Sequence, residues 1–375
     1  MKQFEFLNLA KVNAPYMDDI RRAVDNVVIS GRYIGGEENA RFERTMSEIH
    51  GVEYAVGVSN GLDALRLILE TYKILGRLNP GDEVIVPANT YIATVMAIIQ
   101  AGLTPVPVEP SLHTLNIDSA AIEPALTPRT RAIMTVHLYG RVAYDDTMRE
   151  LVRKHNLLLF EDNAQAIGAV SSTEGLYGNC MTGALGDAAA FSFYPTKNIG
   201  AMGDAGAVLT PHAEVAETVR ALANYGSDRR YHNIYSGFNC RLDPVQAAVL
   251  NVKLKHLGEE SARRQALAAV YDRHITNPKV TKPAIPASPS EHVWHQYVIL
   301  APDRDRFRKD LAANGVQTDI HYATPPHRQP CYATRFASLH LPVTDRIADH
   351  CISLPISPAT TPQDAEEIAA IINSL

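Results

Sequence analysis

Between residues 53 and 209, short apolar segments alternate with segments whose apolar residues have helical spacing. A β-branched run at 53–59 is separated by Asn60 and Gly61 from a helical pattern at 62–72. The same periodicities predict further strands at 83–86, 105–108, 132–137, 157–161, 188–193 and 205–209, and helices at 91–101 and 145–155. This alternation predicts a largely parallel sheet with helices on both faces. In such a sheet the ligand crevice lies beyond the carboxyl ends of the strands.

The pattern changes near residue 240. Asp243 fits an N-cap, Pro244 fits the first helical position and Gln246 would complete a capping-box-like pair, which predicts one long helix to about residue 274. Beyond it we predict strands at 293–300 and 316–322, and helices at 304–314 and 362–372. We therefore expect an α/β chain with a large domain at 1–240, followed by the long bridging helix and a small α+β domain at 241–375.

Composition excludes several classes of protein. The 375 residues carry 35 Lys and Arg against 41 Asp and Glu, so no basic excess indicates binding to nucleic acid or to an anionic membrane. The four cysteines lie far apart without a C-x-x-C pair, which argues against a disulfide framework or a thiolate zinc site. Residues 1–18 lack a secretory signal pattern, and prolines and polar residues interrupt the uncharged stretch at 84–108. We expect a cytoplasmic protein that does not span a membrane.

Lys197 lies where the strand that contains Ser192 runs into a turn. The sequence contains no other Lys or Arg between Lys154 and Arg220. An isolated lysine in apolar surroundings has a lowered pKa, which favours the nucleophilic amine. A solvent-exposed turn lysine is the ordinary alternative.

The carboxylates of Glu161 and Asp162 stand at the end of a predicted strand, at the ligand-facing edge of the sheet. Adjacent strand residues face opposite ways, so the two carboxylates cannot converge on one bond as in a glycosidase. At most one of them points into a site. For Asp162 the alternative interpretation is a helix N-cap.

The turn at Asn60 and Gly61 precedes a helix, whose first N–H groups and dipole would suit a phosphate. The signal is weak alone, because every strand–helix junction offers such groups. The glycines Gly200, Gly203 and Gly206 do not form a dinucleotide fingerprint, because a strand rather than a helix follows them. This weakens a nicotinamide oxidoreductase hypothesis.

Two further groups of polar residues are candidates for binding a charged ligand. Arginine is the natural partner of phosphate, although a solvated surface cluster is the ordinary alternative. The histidines match no established zinc spacing, and we predict no metal site. The candidate residues are Tyr194, Arg229, Arg230, Arg241, His321, Tyr322 and His327.

Together, an amine at Lys197, a carboxylate at Asp162 and a phosphate-binding helix start at Asn60 and Gly61 are what pyridoxal phosphate requires. The chain also resembles the DegT/StrS family of sugar aminotransferases, a branch of the fold-type I pyridoxal phosphate enzymes. The segments that carry the resemblance are 31–36, 81–87, 136–140, 161–165, 192–200 and 237–243. The resemblance implies a large lobe with a mostly parallel seven-stranded sheet between helices.

The resemblance also implies roles for individual residues. Lys197 would bind the cofactor covalently and move protons, and Asp162 would pair with the pyridine nitrogen; both would be catalytic. Gln165 would hydrogen-bond the phenolic oxygen and Tyr91 would stack on the ring. The residues implied to hold the phosphate are Asn60, Gly61, Ser192 and, from the neighbouring subunit of a homodimer with shared active sites, Asn239.

Several segments look most like the 3-aminotransferases that make 3-amino-3,6-dideoxyhexoses. These segments are 60–65, 108–110, 161–166 and 225–233. The implied reaction moves an amine from L-glutamate to C3 of a dTDP-linked 3-keto-6-deoxyhexose, with pyridoxamine phosphate as the intermediate cofactor form. The alternatives are a 4-keto nucleotide-sugar aminotransferase and a non-catalytic pyridoxal phosphate-binding regulator with the same fold.

Overall fold

A seven-stranded sheet forms the centre of the large lobe in the computed structural model, which describes residues 2–375. Its strands are β1 (Tyr54–Val58), β2 (Glu83–Pro87), β3 (Thr104–Val108), β4 (Thr130–Val136), β5 (Leu158–Asp162), β6 (Ala188–Ser192) and β7 (Gly206–Thr210). Their order across the sheet is β1-β7-β6-β5-β4-β2-β3. Only β7 runs antiparallel to its neighbours, so the other strands all end at one edge. The predicted mostly parallel seven-stranded sheet is confirmed.

The helices of the large lobe cover both faces of this sheet. They are α1 (Leu9–Asn13), α2 (Met17–Ser30), α3 (Glu37–His50), α4 (Gly61–Ile74), α5 (Ile92–Gln100), α6 (Asp146–His155), α7 (Ala213–Ala223) and α8 (Pro244–Lys253). Strand β6 shows the arrangement: Ala188 and Ala190 pack in the core under α4, α5 and α7, whereas Ala189 and Phe191 pack against α3 and α8. Both faces of a central strand are therefore buried, which explains its uninterrupted apolar sequence.

The C-terminal part of the chain has a separate hydrophobic core. Its elements are α9 (Leu257–His274), β10 (Tyr297–Leu300), α10 (Arg304–Ala313), α11 (Pro342–His350), β11 (Cys351–Leu354) and α12 (Pro362–Ser374). Strands β10 and β11 form an antiparallel pair. A small hairpin of β8 (Ser227–Arg229) and β9 (His232–Asn233) stands apart from both sheets. The boundary at residue 240 stays a prediction.

The single long helix predicted from residue 243 is wrong. A 3-10 turn at Leu254–His256 separates α8 from α9. The two helices pack on different partners, α8 on α2 and α3, and α9 on α12. The amide of Gln246 bonds the backbone N–H and C=O of Met202, and the Asp243 side chain makes no cap bond.

The strand predicted at 316–322 is also wrong. Val316 forms an isolated bridge with Phe4, and Asp319 forms another with Ser353. Because the two partners belong to different segments, no continuous ladder forms. The chain beyond Asp319 instead turns toward the carboxyl edge of the large sheet, where His321 and Tyr322 line a cavity.

No helix within residues 2–375 combines the length and the apolar character that are needed to cross a bilayer.

Candidate active site

A cavity of about 490 Å³ lies beyond the carboxyl ends of the parallel strands. The loops after β1, β2, β4, β5 and β6 contribute its walls on the side of the large lobe, and the C-terminal lobe contributes the rest. A cavity thus lies where the sequence predicted the ligand crevice. Among the predicted site residues, those that line the cavity are Asn60, Gly61, Tyr91, Asp162, Gln165, Ser192, Tyr194, Lys197, His321 and Tyr322.

Lys197 lies in the turn that follows β6. Its backbone N–H donates to the carbonyl of Tyr194, and the side chain is partly buried at the cavity wall. Burial lowers the pKa of Lys197 from 10.5 to about 8, although the negative charge of Asp162 acts to raise it. Near neutral pH about a tenth of the molecules therefore carry Lys197 as the neutral, nucleophilic amine, far more than for an ordinary lysine.

Three long-range hydrogen bonds hold this turn. The Asn198 amide donates to the carbonyl of Val293 at 3.1 Å and accepts from Nδ1 of His295 at 3.0 Å. On the other side, Nζ of the buried Lys253 donates to the carbonyl of Gly200 at 2.7 Å. The turn that carries Lys197 is thus held by α8 and by the segment at 293–295 of the C-terminal lobe.

Asp162 ends β5 with its carboxylate in the cavity and only 6% of the residue exposed. Burial raises the pKa of Asp162, and hydrogen bonds from Thr94 and from the N–H of Ala164, with the charge of Lys197, act in the opposite direction. A buried carboxylate held this way can accept a hydrogen bond from a cationic ligand atom.

Glu161 points to the opposite side of the strand, as predicted. Its carboxylate accepts from the N–H groups of Gly183, Leu185 and Gly186 and from Nε2 of His137. Nδ1 of His137 accepts from the N–H of Ala143, so the ring proton must lie on Nε2. Glu161 is therefore a fully hydrogen-bonded structural carboxylate.

The start of α4 forms the end of the cavity next to Ser192. The Asn60 side chain accepts from the N–H of Asp63 and donates to its carboxylate, so it caps the helix. The N–H groups of Gly61 and Leu62 lie in the first turn, where they have no intrahelical acceptor. A Cβ on Gly61 would lie 2.7 Å from Cβ of Ser192, so the close approach of helix and strand requires glycine.

Gln165, Tyr322 and Tyr91 form one wall of the cavity. The Gln165 carbonyl oxygen accepts from the N–H of Tyr139 at 2.6 Å, and its amide donates to the Tyr322 hydroxyl at 3.0 Å. The Tyr322 ring lies 5.0 Å from the ring of Tyr91, centroid to centroid. Burial raises the pKa of Tyr322, so its hydroxyl stays protonated.

Sequence reasoning missed several residues of the site. His295 and Gln296 line the cavity, and burial, with the nearby charge of Lys197, lowers the pKa of His295 well below its usual range. Thr94, which bonds Asp162, and its neighbour Thr90 were also missed. The only local signal was the four-residue spacing of Thr90 and Thr94 around the start of α5, which by itself indicates no site.

Five predicted residues do not line this cavity. Arg229, Arg230 and Asn239 are exposed. Arg241 lines a separate cavity with Ile34 and Arg220 on the same subunit, and Nε2 of His327 lies 2.9 Å from a carboxylate oxygen of Asp345. The roles predicted for all five stay predictions.

The residues of the cavity fit pyridoxal phosphate. The fit rests on a lysine amine with a lowered pKa, a buried carboxylate and free helix N–H groups at Gly61 and Leu62 around one space. These groups match the aldehyde, the pyridine nitrogen and the phosphate of the cofactor. Fold and site together define a fold-type I pyridoxal phosphate-dependent transferase.

Comparison with known proteins narrows this class. The pattern of the DegT/DnrJ/EryC1/StrS aminotransferase family matches residues 16–373. The chain is 44% identical to the dTDP-3-amino-3,6-dideoxy-alpha-D-galactopyranose transaminase of Aneurinibacillus thermoaerophilus, over 98% of both chains. It is 42% identical to the dTDP-3-amino-3,4,6-trideoxy-alpha-D-glucose transaminase of Streptomyces venezuelae, over 94% of this chain and 91% of the relative. The chain belongs to this aminotransferase family.

Solved structures agree with the family assignment. The structure of S. venezuelae DesV in complex with a ketimine intermediate superposes with a TM-score of 0.93 at 40% identity, covering 100% of this chain and 98% of DesV. The structure of ntda from Bacillus subtilis, which holds the cofactor PMP, superposes with a TM-score of 0.88 at 30% identity, covering 100% of this chain and 86% of the other. The protein is a pyridoxal phosphate-dependent sugar aminotransferase.

The lowered pKa of Lys197 predicts the pH at which its amine becomes reactive. In the cofactor-free protein, acetylation of Lys197 by trace acetic anhydride is expected to be half-maximal at about pH 8. Asp162→Asn removes the charge that raises the pKa, so its midpoint is expected to be lower. Mass spectrometry of the Lys197 peptide across pH measures both values. A midpoint near 10.5, as expected for the denatured chain, contradicts the burial argument.

Proposed function

We propose that this protein transfers an amine from L-glutamate to C3 of a dTDP-linked 3-keto-6-deoxyhexose, giving a dTDP-3-amino-3,6-dideoxyhexose. The observation that carries the proposal is the 44% identity, over 98% of both chains, to a transaminase that is named for a dTDP-3-amino-3,6-dideoxyhexose. A second 3-amino sugar transaminase, with 42% identity, supports it. The cysteines lie apart and are free, which supports a cytoplasmic location.

The geometry of the cavity supports the residue roles in this proposal. When bound, the cofactor would supply an electron sink and the group that carries the amine between the two substrates. Lys197 holds the aldehyde form covalently, and its amine, once free, takes and returns the proton at the substrate carbon. Asp162 keeps the pyridine nitrogen protonated through a charge-assisted hydrogen bond, which its burial strengthens.

The remaining cavity residues orient the cofactor. The N–H groups of Gly61 and Leu62, with the Ser192 hydroxyl, bind the phosphate at the positive end of α4. Gln165 reaches the phenolic oxygen, and Tyr91, 51% exposed, covers one ring face. The side-chain amide of Asn60 already caps α4 through Asp63. Asn60 therefore contributes to phosphate binding by fixing the first turn of the helix, and not by donating from its amide.

A homodimer completes the site in this proposal. The residue proposed to cross the interface is Asn239, which is exposed and lies outside its own subunit's cavity. Exposed apolar side chains on α2, on the following loop and on the β8–β9 hairpin supply an interface of the apolar kind that permanent dimers use. They are Val28, Ile29, Tyr33, Ile34, Tyr231 and Ile234.

The nucleotide diphosphate of the substrate requires cations. Arg229, Arg230 and Arg241 are proposed for this role, and His321 and Tyr322 for the sugar, next to Tyr194 at the cavity mouth. The side chain of His327 already pairs with Asp345. Its proposed contribution to substrate binding is therefore indirect, by holding the loop in which it lies.

Other members of the family leave two alternatives to test. GDP-perosamine synthase of Caulobacter vibrioides is 35% identical over 97% of both chains, which keeps sugars linked to other nucleotides in consideration. A 4-keto nucleotide sugar is the alternative substrate within the same class. The pleiotropic regulatory protein of Geobacillus stearothermophilus is 37% identical over 94% of this chain, which keeps a regulator in consideration.

The position of amination separates these alternatives. Incubation with L-glutamate and a dTDP-3-keto-6-deoxyhexose is expected to give a new amine at C3, located by NMR. The matched 4-keto sugar is expected to turn over at least tenfold more slowly, since misplacing the carbonyl by one carbon disrupts the near-attack geometry. Faster amination at C4 contradicts the substrate assignment. No turnover, with no change in the visible spectrum on adding glutamate, would favour the regulator.

Subunit mixing tests the shared active site. Lys197→Ala and Asn239→Ala homodimers are both expected to be nearly inactive. In their heterodimer one of the two sites keeps both residues, so random mixing is expected to restore about a quarter of wild-type activity. Subunit exchange is followed by native mass spectrometry and turnover by NMR.

The matched control mixes Lys197→Ala with Asp162→Asn. Both residues line the cavity of one subunit, so no heterodimer site is intact and no activity returns. Equal recovery in both mixtures, or full activity of Asn239→Ala alone, contradicts the proposed role of Asn239.

A further inference from the structure

Two buried threonine hydroxyls lead from helix α5 to the carboxylate of Asp162. Oγ1 of Thr94 lies 2.8 Å from Oδ2 of Asp162, and Oγ1 of Thr90 lies 2.8 Å from Oγ1 of Thr94. Thr94 is fully buried and Thr90 is 1% exposed. Thr90 immediately precedes the N-cap residue of α5, and Thr94 lies one helical turn later. Because a β-branched side chain in a helix has few χ1 rotamers, Oγ1 of Thr94 has few available positions.

The carboxylate of Asp162 determines which atom donates in each of these two hydrogen bonds. An ionised carboxylate can only accept, so the single hydroxyl proton of Thr94 must point to Asp162. Thr94 is then an acceptor toward Thr90, and the Thr90 proton points the same way. The N–H of Ala164 donates to the other carboxylate oxygen at 3.2 Å. Each oxygen of Asp162 thus accepts one hydrogen bond from the protein, and the two bonds together fix the orientation of the carboxylate in the cavity.

We propose that Thr94, oriented by Thr90, is a positioning residue that holds Asp162 as a carboxylate directed at the pyridine nitrogen of the cofactor. The inference rests on the proposed role of Asp162. A hydrogen bond donated to a carboxylate stabilises its charged form and opposes the effect of burial. The charge of Lys197, in the turn after β6, also acts on Asp162, and the ionisable side chains of His137, after β4, and Tyr322, in the C-terminal lobe, lie nearby.

The sign of the effect follows from this arrangement. Binding of a protonated pyridine nitrogen requires an ionised Asp162, so affinity is lost as the pH falls through the pKa of Asp162. Removing the Thr94 hydroxyl raises that pKa, so the loss begins at a higher pH. A purely structural effect of the substitution would weaken binding by the same factor at every pH.

The test is the dissociation constant of pyridoxamine phosphate, measured by calorimetry between pH 5.5 and 8.5. This ligand forms no covalent bond to Lys197, so the constant reports the non-covalent contacts alone. The ratio of the Thr94→Val constant to the wild-type constant is expected to rise toward acid pH, reaching about tenfold for each unit by which the pKa of Asp162 moves. Thr94→Ser, which keeps the hydroxyl, is expected to restore most of the wild-type profile.

Thr71→Val is the matched control. Thr71 is a fully buried helical threonine whose hydroxyl has no hydrogen-bond partner in the described part of the chain. The ratio for this variant is expected to stay near one at every pH. Should Thr94→Val fail to fold, Thr90→Val, which leaves Thr94 without its orienting donor, is expected to shift the profile in the same direction by less.

Asp162→Asn distinguishes the failure of this inference from that of the proposed function. If it binds pyridoxamine phosphate as tightly as the wild type, the proposed role of Asp162 is wrong. Suppose instead that Asp162→Asn weakens binding. The role of Thr94 alone is then overturned if the Thr94→Val ratio is independent of pH, or if Thr94→Ser does not restore binding. Loss of any Thr94→Val effect in the Asp162→Asn background supports the coupling between the two residues.

Discussion

The burial of two ionisable groups in one cavity is the constraint on which this site depends. The parallel strands bring the turn after β6 and the end of β5 to the same edge of the sheet, so Lys197 and Asp162 share a space that the C-terminal lobe closes. Burial disfavours both charges: it lowers the pKa of Lys197 and raises that of Asp162. Each group also partly restores the charge of the other. The result is a reactive amine next to a carboxylate that a cationic ring nitrogen can neutralise.

Hydrogen bonds and close packing around the site keep these two buried groups in place despite the free-energy cost of their burial. Glu161, the neighbour of Asp162, is tied to three N–H groups and to His137 on the far side of the strand. The turn of Lys197 is held by Asn198 and Lys253. At the phosphate end, a Cβ on Gly206 would lie 2.5 Å from the backbone of Asn60, so β7 packs directly against the turn that starts α4. These contacts leave the site little freedom to relax.

The sequence predicted what depends on local periodicity and on chain order. The strands from 83 to 209 and the helix at 145–155 have strong apolar patterns, and Lys197 and Asp162 follow strand ends, so their meeting could be predicted from the parallel topology. The break at Leu254–His256 could not, because it arises where two helices pack on different lobes. Residues 316–322 have a strand-like composition, but their partners come from two distant segments. Thr94 and His295 reach the site only through long-range packing, and Asn239 depends on a second subunit.

The central claim is that Lys197 carries the cofactor beside Asp162. Its most direct measurement is borohydride reduction of the protein after incubation with pyridoxal phosphate, followed by peptide mapping. The account predicts one pyridoxyl group per subunit, on Lys197, and none on Lys253, whose pKa burial also lowers to about 8 but which hydrogen-bonds Asn13 and Gly200 away from the cavity. Stoichiometric labelling of any other lysine, or undiminished labelling of Lys197→Ala, would contradict it.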